Sequence, residues 1–249
     1  FMLVAKETPF YPEGGGQISD TGRIFNDNVK IKVLNTQRVN NLILHHVILE
    51  DGQIKVNDNI ELEIDVNRRK KITINHSSTH LLHNALRHVL GEHVEQKGSL
   101  VTDQSLRFDF SHNKALTNDE ISSIEKIISN EIELDVLSKQ KVTSYKKAID
   151  SGALAFFDEK YDDRVINIGS KSIELCGGTH VTNTSTIRLF KIISESSVST
   201  GVRRVEAVTG EEAYKLYQSL FSDIKDLSKT LNANPSDLKT KIDLIKNSE

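Results

Sequence analysis

Cys176 is the only cysteine in the 249-residue chain, so no internal disulfide can staple the fold. It sits in LCGGTH (175–180), four residues before His180, with Gly177 and Gly178 between them. Far upstream, HSSTH (76–80) gives His76 and His80 the same spacing. On a helix, residues i and i+4 share a face with about 6 Å between Cβ atoms, close enough for two imidazoles to share an ion. Gly177-Gly178 resists helix formation, but a loop can wrap two donors around one ion. If both pairs serve one site, the chain must fold segment 175–180 onto the helix at 76–80. Three imidazoles and one thiolate form a borderline-soft donor set suited to Zn²⁺.

Each pair also has a plainer reading. HxxxH recurs by chance on amphipathic helices, His83 continues the same stripe, and CxxxH fits a small buried thiol in a turn. A metalloprotease would need Glu after the first histidine, and Ser77 stands there. His45-His46 lies in a strand pattern without a partner. His83, His88, His93 and His112 read as packed or solvated.

The hydrophobic period changes along the chain. Residues 2–6, 29–34, 42–49 and 60–66 are short apolar or alternating runs between turn-formers, which predicts a small β-barrel-like or sandwich subdomain ending near Val66, before the basic run Arg68-Arg69-Lys70-Lys71. From Asn75 to Leu90 the spacing becomes helical, with Gly91 as the stop. Leu106, Phe108 and Phe110 alternate as a strand. Thr117 to Glu120 is a capping box ahead of a helix carrying Ile121, Ile124, Ile127, Ile128 and Ile132. Strands at 136–142, 164–168 and 171–176, a short helix at 143–150, and strands at Leu189–Ser194 and Val202–Val208 complete an α+β segment. Ala213, Tyr217, Leu220, Ile224, Leu227 and Leu231 then form a heptad seam. Asn234-Pro235 reads as a second helix start, with Leu238, Ile242 and Ile245 on its apolar face. The expected division is 1–66, 67–210 and 211–249, the last a helical hairpin opening a coiled coil.

The net charge of −3 gives no global basic field, so any nucleic-acid contact must use local patches. No apolar run is long enough for a membrane span. One cysteine and no signal peptide predict a reducing, cytoplasmic setting. The start at Phe1, with Met2 as the single methionine, suggests a piece of a longer protein, although a trimmed start or tag scar would look alike.

Several long segments, in order, resemble the editing region of bacterial alanyl-tRNA synthetases: HSSTHLLHNALRHVLG (76–91), QKGSLV (96–101), LRFDFSH (106–112), ELCGGTH (174–180), FKIISES (190–196) and GVRRVEAVTG (201–210). TPFYPEGGGQISDTG (8–22) is similar to that family's glycine-rich motif. The resemblance implies an α+β editing domain of the threonyl/alanyl type, one Zn²⁺ on His76, His80, Cys176 and His180, and hydrolysis of serine or glycine mischarged on tRNA(Ala), engaged at its 3′ aminoacylated end. The full synthetase carries its ATP-dependent aminoacylation domain upstream. No such motif is identified here, so no aminoacylation is expected. The three glycines of PEGGGQ are also similar to free-standing editing proteins that act in trans, whereas the heptad hairpin, a potential oligomer contact, fits the synthetase. A zinc-stabilised tRNA-binding module without catalysis is the rival from another class.

Gln96 could orient a water or the substrate, or be a surface residue at a strand start. The Thr21 hydroxyl could recognise the serine hydroxyl with Asp20 orienting it, or both could be turn chemistry. Gly14, Gly15 and Gly16 could let the backbone approach substrate, with Gly177 beside them, or form an ordinary tight turn. Arg203 and Arg204 point to opposite faces of a strand. One of them can face the site or phosphates while the other pairs with a carboxylate such as Glu206, and Arg203 is the candidate for the site. Arg68, Arg69, Lys70, Lys71, Lys97 and Arg204 are candidate phosphate contacts, or else solvated surface charges.

Overall fold

The computed structural model describes residues 1–142, 164–170 and 172–247. The helix expected over 143–150 lies outside these residues. The chain divides into two compact units, Phe1–Gly210 and Glu211–Glu249.

The first unit opens with an antiparallel sheet of β1 (Met2–Leu3), β2 (Gly22–Asn26), β3 (Val29–Val39), β4 (Leu42–Gly52) and β5 (Glu61–Ile64). Asn40, at φ 55°, opens the two-residue connection from β3 to β4. Val29, Ile31 and Val33 alternate inward along β3 and pack with Phe10, Ile24 and Val47 as a small core. The strand order is β1-β4-β3-β2-β5, so the two edge strands lie at opposite ends. This corrects the barrel expectation. Closure would require β1 to pair with β5, but β1 pairs only two residues with β4, and the sheet stays open. Strand β2 was not foreseen, because GRIFN holds little apolar pattern beyond the fully buried Ile24.

Helix α1 runs from Val66 to Leu90 and begins nine residues before the expected start. Asp65 is its N-cap, accepting from the Arg68 N–H at 3.0 Å. The basic run therefore lies in the first two turns of the helix. Arg68 donates to the Ser19 carbonyl at 2.6 Å, and Arg69 forms a forked ion pair with the buried Asp20. Those two contacts fasten the helix start to the glycine-rich segment. At the other end Gly91, at φ 114°, closes the helix as expected, its N–H meeting the Arg87 carbonyl.

Strands β6 (Gln96–Val101), β7 (Leu106–Ser111), β11 (Phe190–Ser199) and β12 (Val202–Thr209) form a second sheet in the order β11-β12-β7-β6. Helix α2 (Asn118–Glu133) carries the expected capping box, with Thr117 and Glu120 bonding each other's backbone N–H groups. The main core joins both helices to this sheet through Leu82, Leu86, Leu106, Phe108, Phe110, Ile124 and Ile128. A third sheet, β8 (Lys139–Val142), β9 (Arg164–Ile168) and β10 (Ser172–Leu175), is ordered β10-β9-β8. Strand β10 delivers the chain directly into Cys176.

In the second unit, helix α3 spans Gly210–Leu231 and α4 spans Leu238–Lys246. Asn234-Pro235 opens a 3₁₀ turn, Pro235–Asp237, and α4 follows it. Tyr217, Leu220, Ile224 and Leu227 of the heptad are exposed. Among the described residues no helix is long and apolar enough to cross a membrane.

Candidate metal centre

His76 and His80 stack on one face of α1, ring centroids 5.3 Å apart. The His180 ring lies 4.5 Å from the first and 4.9 Å from the second. Cys176 Sγ is 3.4 Å from His76 Nε2. The four donor atoms all fall within 4.8 Å of one another.

The CGGTH loop is tied to α1 by several bonds. The Val181 N–H donates to Ser77 Oγ at 3.0 Å, and the Thr73 hydroxyl donates to that of Thr179 at 2.8 Å. The Thr179 N–H donates to Gln17 Oε1 at 2.9 Å. Gly178 is buried against the His76 imidazole, where a side chain would collide with the ring. The sequence alone does not distinguish the two loop glycines. Neither has a positive φ, and only Gly178 is required, for close approach.

Each imidazole engages its Nδ1 away from the cluster. His76 Nδ1 is 2.6 Å from Gln17 Oε1, His80 Nδ1 is 2.6 Å from Glu174 Oε2, and His180 Nδ1 is 3.4 Å from Ser77 Oγ. The Gln17 carbonyl and the Glu174 carboxylate can only accept, so they place a proton on Nδ1 of His76 and of His80 and turn Nε2 toward the cluster. Among the described residues, His80 Nε2 and His180 Nε2 are buried and have no hydrogen-bond partner. Buried polar atoms are costly to leave unpaired, and an ion shared with Cys176 would satisfy both. The donor set and these two atoms fit a metal ion.

Electrostatics agree with the geometry. Burial opposes ionising Cys176, but His76 and His180 outweigh it and hold the thiol well below its usual range. Burial opposes charging His80 as well, yet the Glu174 carboxylate raises its pKa to about 10. Burial drives His180 down to about 3. Glu174 also touches His83 at 3.1 Å. A dication with one thiolate carries one surplus positive charge, which the Glu174 carboxylate balances. Glu174→Gln is therefore expected to weaken metal binding about 10–100-fold, measured by competition with a chromophoric chelator. Unchanged affinity would show that His80 needs no carboxylate.

The other sequence candidates lie at differing distances from this cluster. Gly15 and Gly16 have φ of 57° and 80°, and Gly14 and Gln17 exchange backbone bonds at 3.1 and 3.0 Å across them. That is the geometry of a two-residue hairpin with left-handed central residues. Gly16 also abuts the Ser99 carbonyl, leaving no room for a Cβ. The side chain reaching the cluster is the next one, Gln17. Asp20 is committed to Arg69 and the Tyr11 N–H, 2.7 Å away. Thr21 lines a separate pocket with Lys32, Glu50, Glu63 and Asp65. Gln96 opens β6 opposite Phe110, whereas Val101 at the other end of that strand meets Gly16 and Ile18. Five residues of strand separate the two ends by about 17 Å. Gly177 is exposed beside Cys176.

Arg203 forks onto Glu195, both bonds 2.6 Å, and Arg204 onto Asp109 at 2.7 and 2.8 Å. Both arginines thus pair across the sheet, and Glu206 accepts from Ser194 instead. Lys97 pairs with Glu95 at 2.9 Å, Lys70 is exposed and Lys71 is half-buried. Gln17, Glu174, Ser77 and Thr179 were not foreseen. The first two sit inside the PEGGGQ and ELCGGTH segments, and their adjacency to glycines and to a ligand was the available signal.

Residues 164–206 match the family described as threonyl and alanyl tRNA synthetase second additional domain, a stretch that contains Cys176 and His180. Residues 1–68 match the family described as tRNA synthetases class II (A), a stretch that contains Gln17. The alanine–tRNA ligase of Rickettsia felis is 45% identical over 98% of this chain and 28% of its own length. That of Burkholderia cenocepacia is 46% identical over 97% of this chain and 28% of its own, and that of Bdellovibrio bacteriovorus 46% over 90% and 25%. The chain spans just over a quarter of the length of these curated relatives. By sequence, then, the chain is similar over almost its whole length to a segment of alanine–tRNA ligases, and its residues 164–206 match the second additional domain of threonyl and alanyl tRNA synthetases.

Proposed function

We propose that this chain is a zinc-dependent editing hydrolase acting on Ser-tRNA(Ala) or Gly-tRNA(Ala). The observation that carries the reading is the convergence of His76, His80, Cys176 and His180, with two of the ligand atoms buried and, among the described residues, unpaired. The match over residues 164–206 to the second additional domain of threonyl and alanyl tRNA synthetases supports a tRNA-linked substrate. A cytoplasmic location, the three-part division at 66 and 210, and oligomerisation through the C-terminal helical hairpin belong to the same reading.

Hydrolysis adds water across the ester between the aminoacyl carbonyl and a ribose oxygen. It releases a free amino acid and a tRNA with its terminal hydroxyl restored. Zinc, when bound by the four donors, would polarise a carbonyl or hold the α-amino group. Glu174 and Gln17 hold two of the ligand imidazoles in register. Among the described residues Thr21, Gln96 and Arg203 make no hydrogen bond to the four donors, so their proposed roles concern the substrate rather than the ion. Gly14, Gly15, Gly16, Asp20 and Gly177 are proposed to border the substrate, and Arg68, Arg69, Lys70, Lys71, Lys97 and Arg204 its phosphates. Of these cations, the exposed Lys70 is the readiest to take a phosphate.

The test is deacylation. The purified chain is expected to clear the seryl ester of tRNA(Ala) faster than the alanyl ester, to lose that activity to a chelator and to regain it with zinc. One observation favours the rival binding module: four protein donors are the closed set of a structural zinc site. If zinc is bound and the seryl ester decays only as in buffer, the binding module is the correct reading.

A further inference from the structure

Gln17 has no solvent exposure and sits beside a turn that brings it to the cluster from the N-terminal sheet region. Its carbonyl oxygen receives three contacts: the Thr179 N–H at 2.9 Å, the Thr179 hydroxyl at 3.2 Å and His76 Nδ1 at 2.6 Å. The backbone N–H of Thr179 can only donate, so the atom facing it must be the amide oxygen. His76 Nδ1, facing the same oxygen, must then carry the proton. That leaves His76 Nε2 unprotonated and aimed toward Cys176 Sγ, 3.4 Å away. The same oxygen holds the CGGTH loop against α1, so one atom sets both a ligand's tautomer and the approach of the ligand pair that includes Cys176.

We propose that Gln17 is a positioning residue of the metal centre, through which the glycine-rich hairpin completes the site. The inference rests on the metal-binding part of the functional reading and not on catalysis. Gly16 contributes by letting the hairpin pack on the Ser99 carbonyl. Among the described residues, the Gln17 amide nitrogen has no hydrogen-bond partner. Replacing that nitrogen by oxygen therefore removes no bond, and Gln17→Glu becomes the conservative variant. Gln17→Met keeps the length and volume but has no acceptor.

The experiment titrates Co²⁺ and Zn²⁺ into the metal-free 249-residue chain and both variants, with circular dichroism to confirm folding. Gln17→Met is expected to lose about 10–100-fold in affinity, the range for an outer partner of a ligand histidine, and to alter the Co²⁺ d–d spectrum. Gln17→Glu is expected to stay within about threefold of the parent, or tighter, because a carboxylate accepts the same two N–H groups. Parent-like binding by Gln17→Met overturns the proposal. So do equal losses in both variants, or loss of fold in both, since Gln17 would then be a packing residue. Deacylation by the unmodified chain is scored separately, so failure of the editing reading leaves this result readable.

Discussion

Cys176→Ala is expected to lower zinc affinity by more than about 100-fold, beyond what loss of an outer partner costs, and to bring deacylation down to the rate in buffer. The thiolate is the one anion among the four donors. His76 and His180 hold it ionised despite burial. Against burial, the Glu174 carboxylate and the Cys176 thiolate both raise the His80 pKa, so the thiolate is part of the negative charge that meets a dication at the cluster. With alanine at 176 the ion would meet three imidazoles, with the Glu174 carboxylate behind His80 as the compensating charge. Co²⁺ substitution checks this directly: the thiolate-to-metal absorption should vanish, and chelator competition should give the affinity. A Cys176→Ala chain that binds zinc as tightly as the parent would remove the thiolate from the site.

The ligand set was legible because it rests on spacing. His76/His80 and Cys176/His180 each carry a local pattern that survives without knowing the fold. The partners of those ligands carry no such pattern. Gln17 meets His76 across 59 positions, and Glu174 meets His80 across 94. A single Gln or Glu in a strand or turn reads as a solvated residue until the chain topology places it.

The start of α1 was misplaced for a related reason. Four consecutive cations carry no apolar pattern, but Arg68 and Arg69 are held by the Ser19 carbonyl and the Asp20 carboxylate, so tertiary contacts set a helix boundary that local polarity obscured. The barrel failed because strand spacing counts strands and says nothing about which edges meet. The order β1-β4-β3-β2-β5 places a two-residue strand at one edge and a four-residue strand at the other. One of Arg203 and Arg204 is expected from the sequence to pair with a carboxylate such as Glu206, and Arg204 also to reach a phosphate. The structure pairs Arg204 with Asp109, its register partner on the neighbouring β7.

Gly178→Ala and Gly177→Ala should behave oppositely although they add the same methyl group to adjacent positions. Neither glycine has a positive φ, so backbone strain does not separate them. What separates them is space. A Cβ on Gly177 meets nothing within 4 Å, whereas one on Gly178 would occupy the same volume as the His76 ring and crowd Gln17 Oε1. The ring cannot retreat easily, because Gln17 holds its Nδ1 and α1 holds its backbone in the buried middle of a 25-residue helix. The loop must give instead, carrying Cys176 and His180 away from His76 and His80. Overpacking of a buried site costs about 1–3 kcal/mol and sometimes more, which corresponds to a thermal midpoint lower by roughly 2–10 °C in a unit of this size. Gly177→Ala should stay within about 0.5 kcal/mol and keep parent-like zinc affinity. Gly178→Ala should lose zinc at least as completely as Cys176→Ala, because it displaces two donors rather than removing one. Paired thermal melts and zinc titrations of the two variants decide it. Parent-like zinc binding by Gly178→Ala would mean that the loop reaches the ion without resting on His76, and that the close approach of Gly178 to the ring is not a condition of the site.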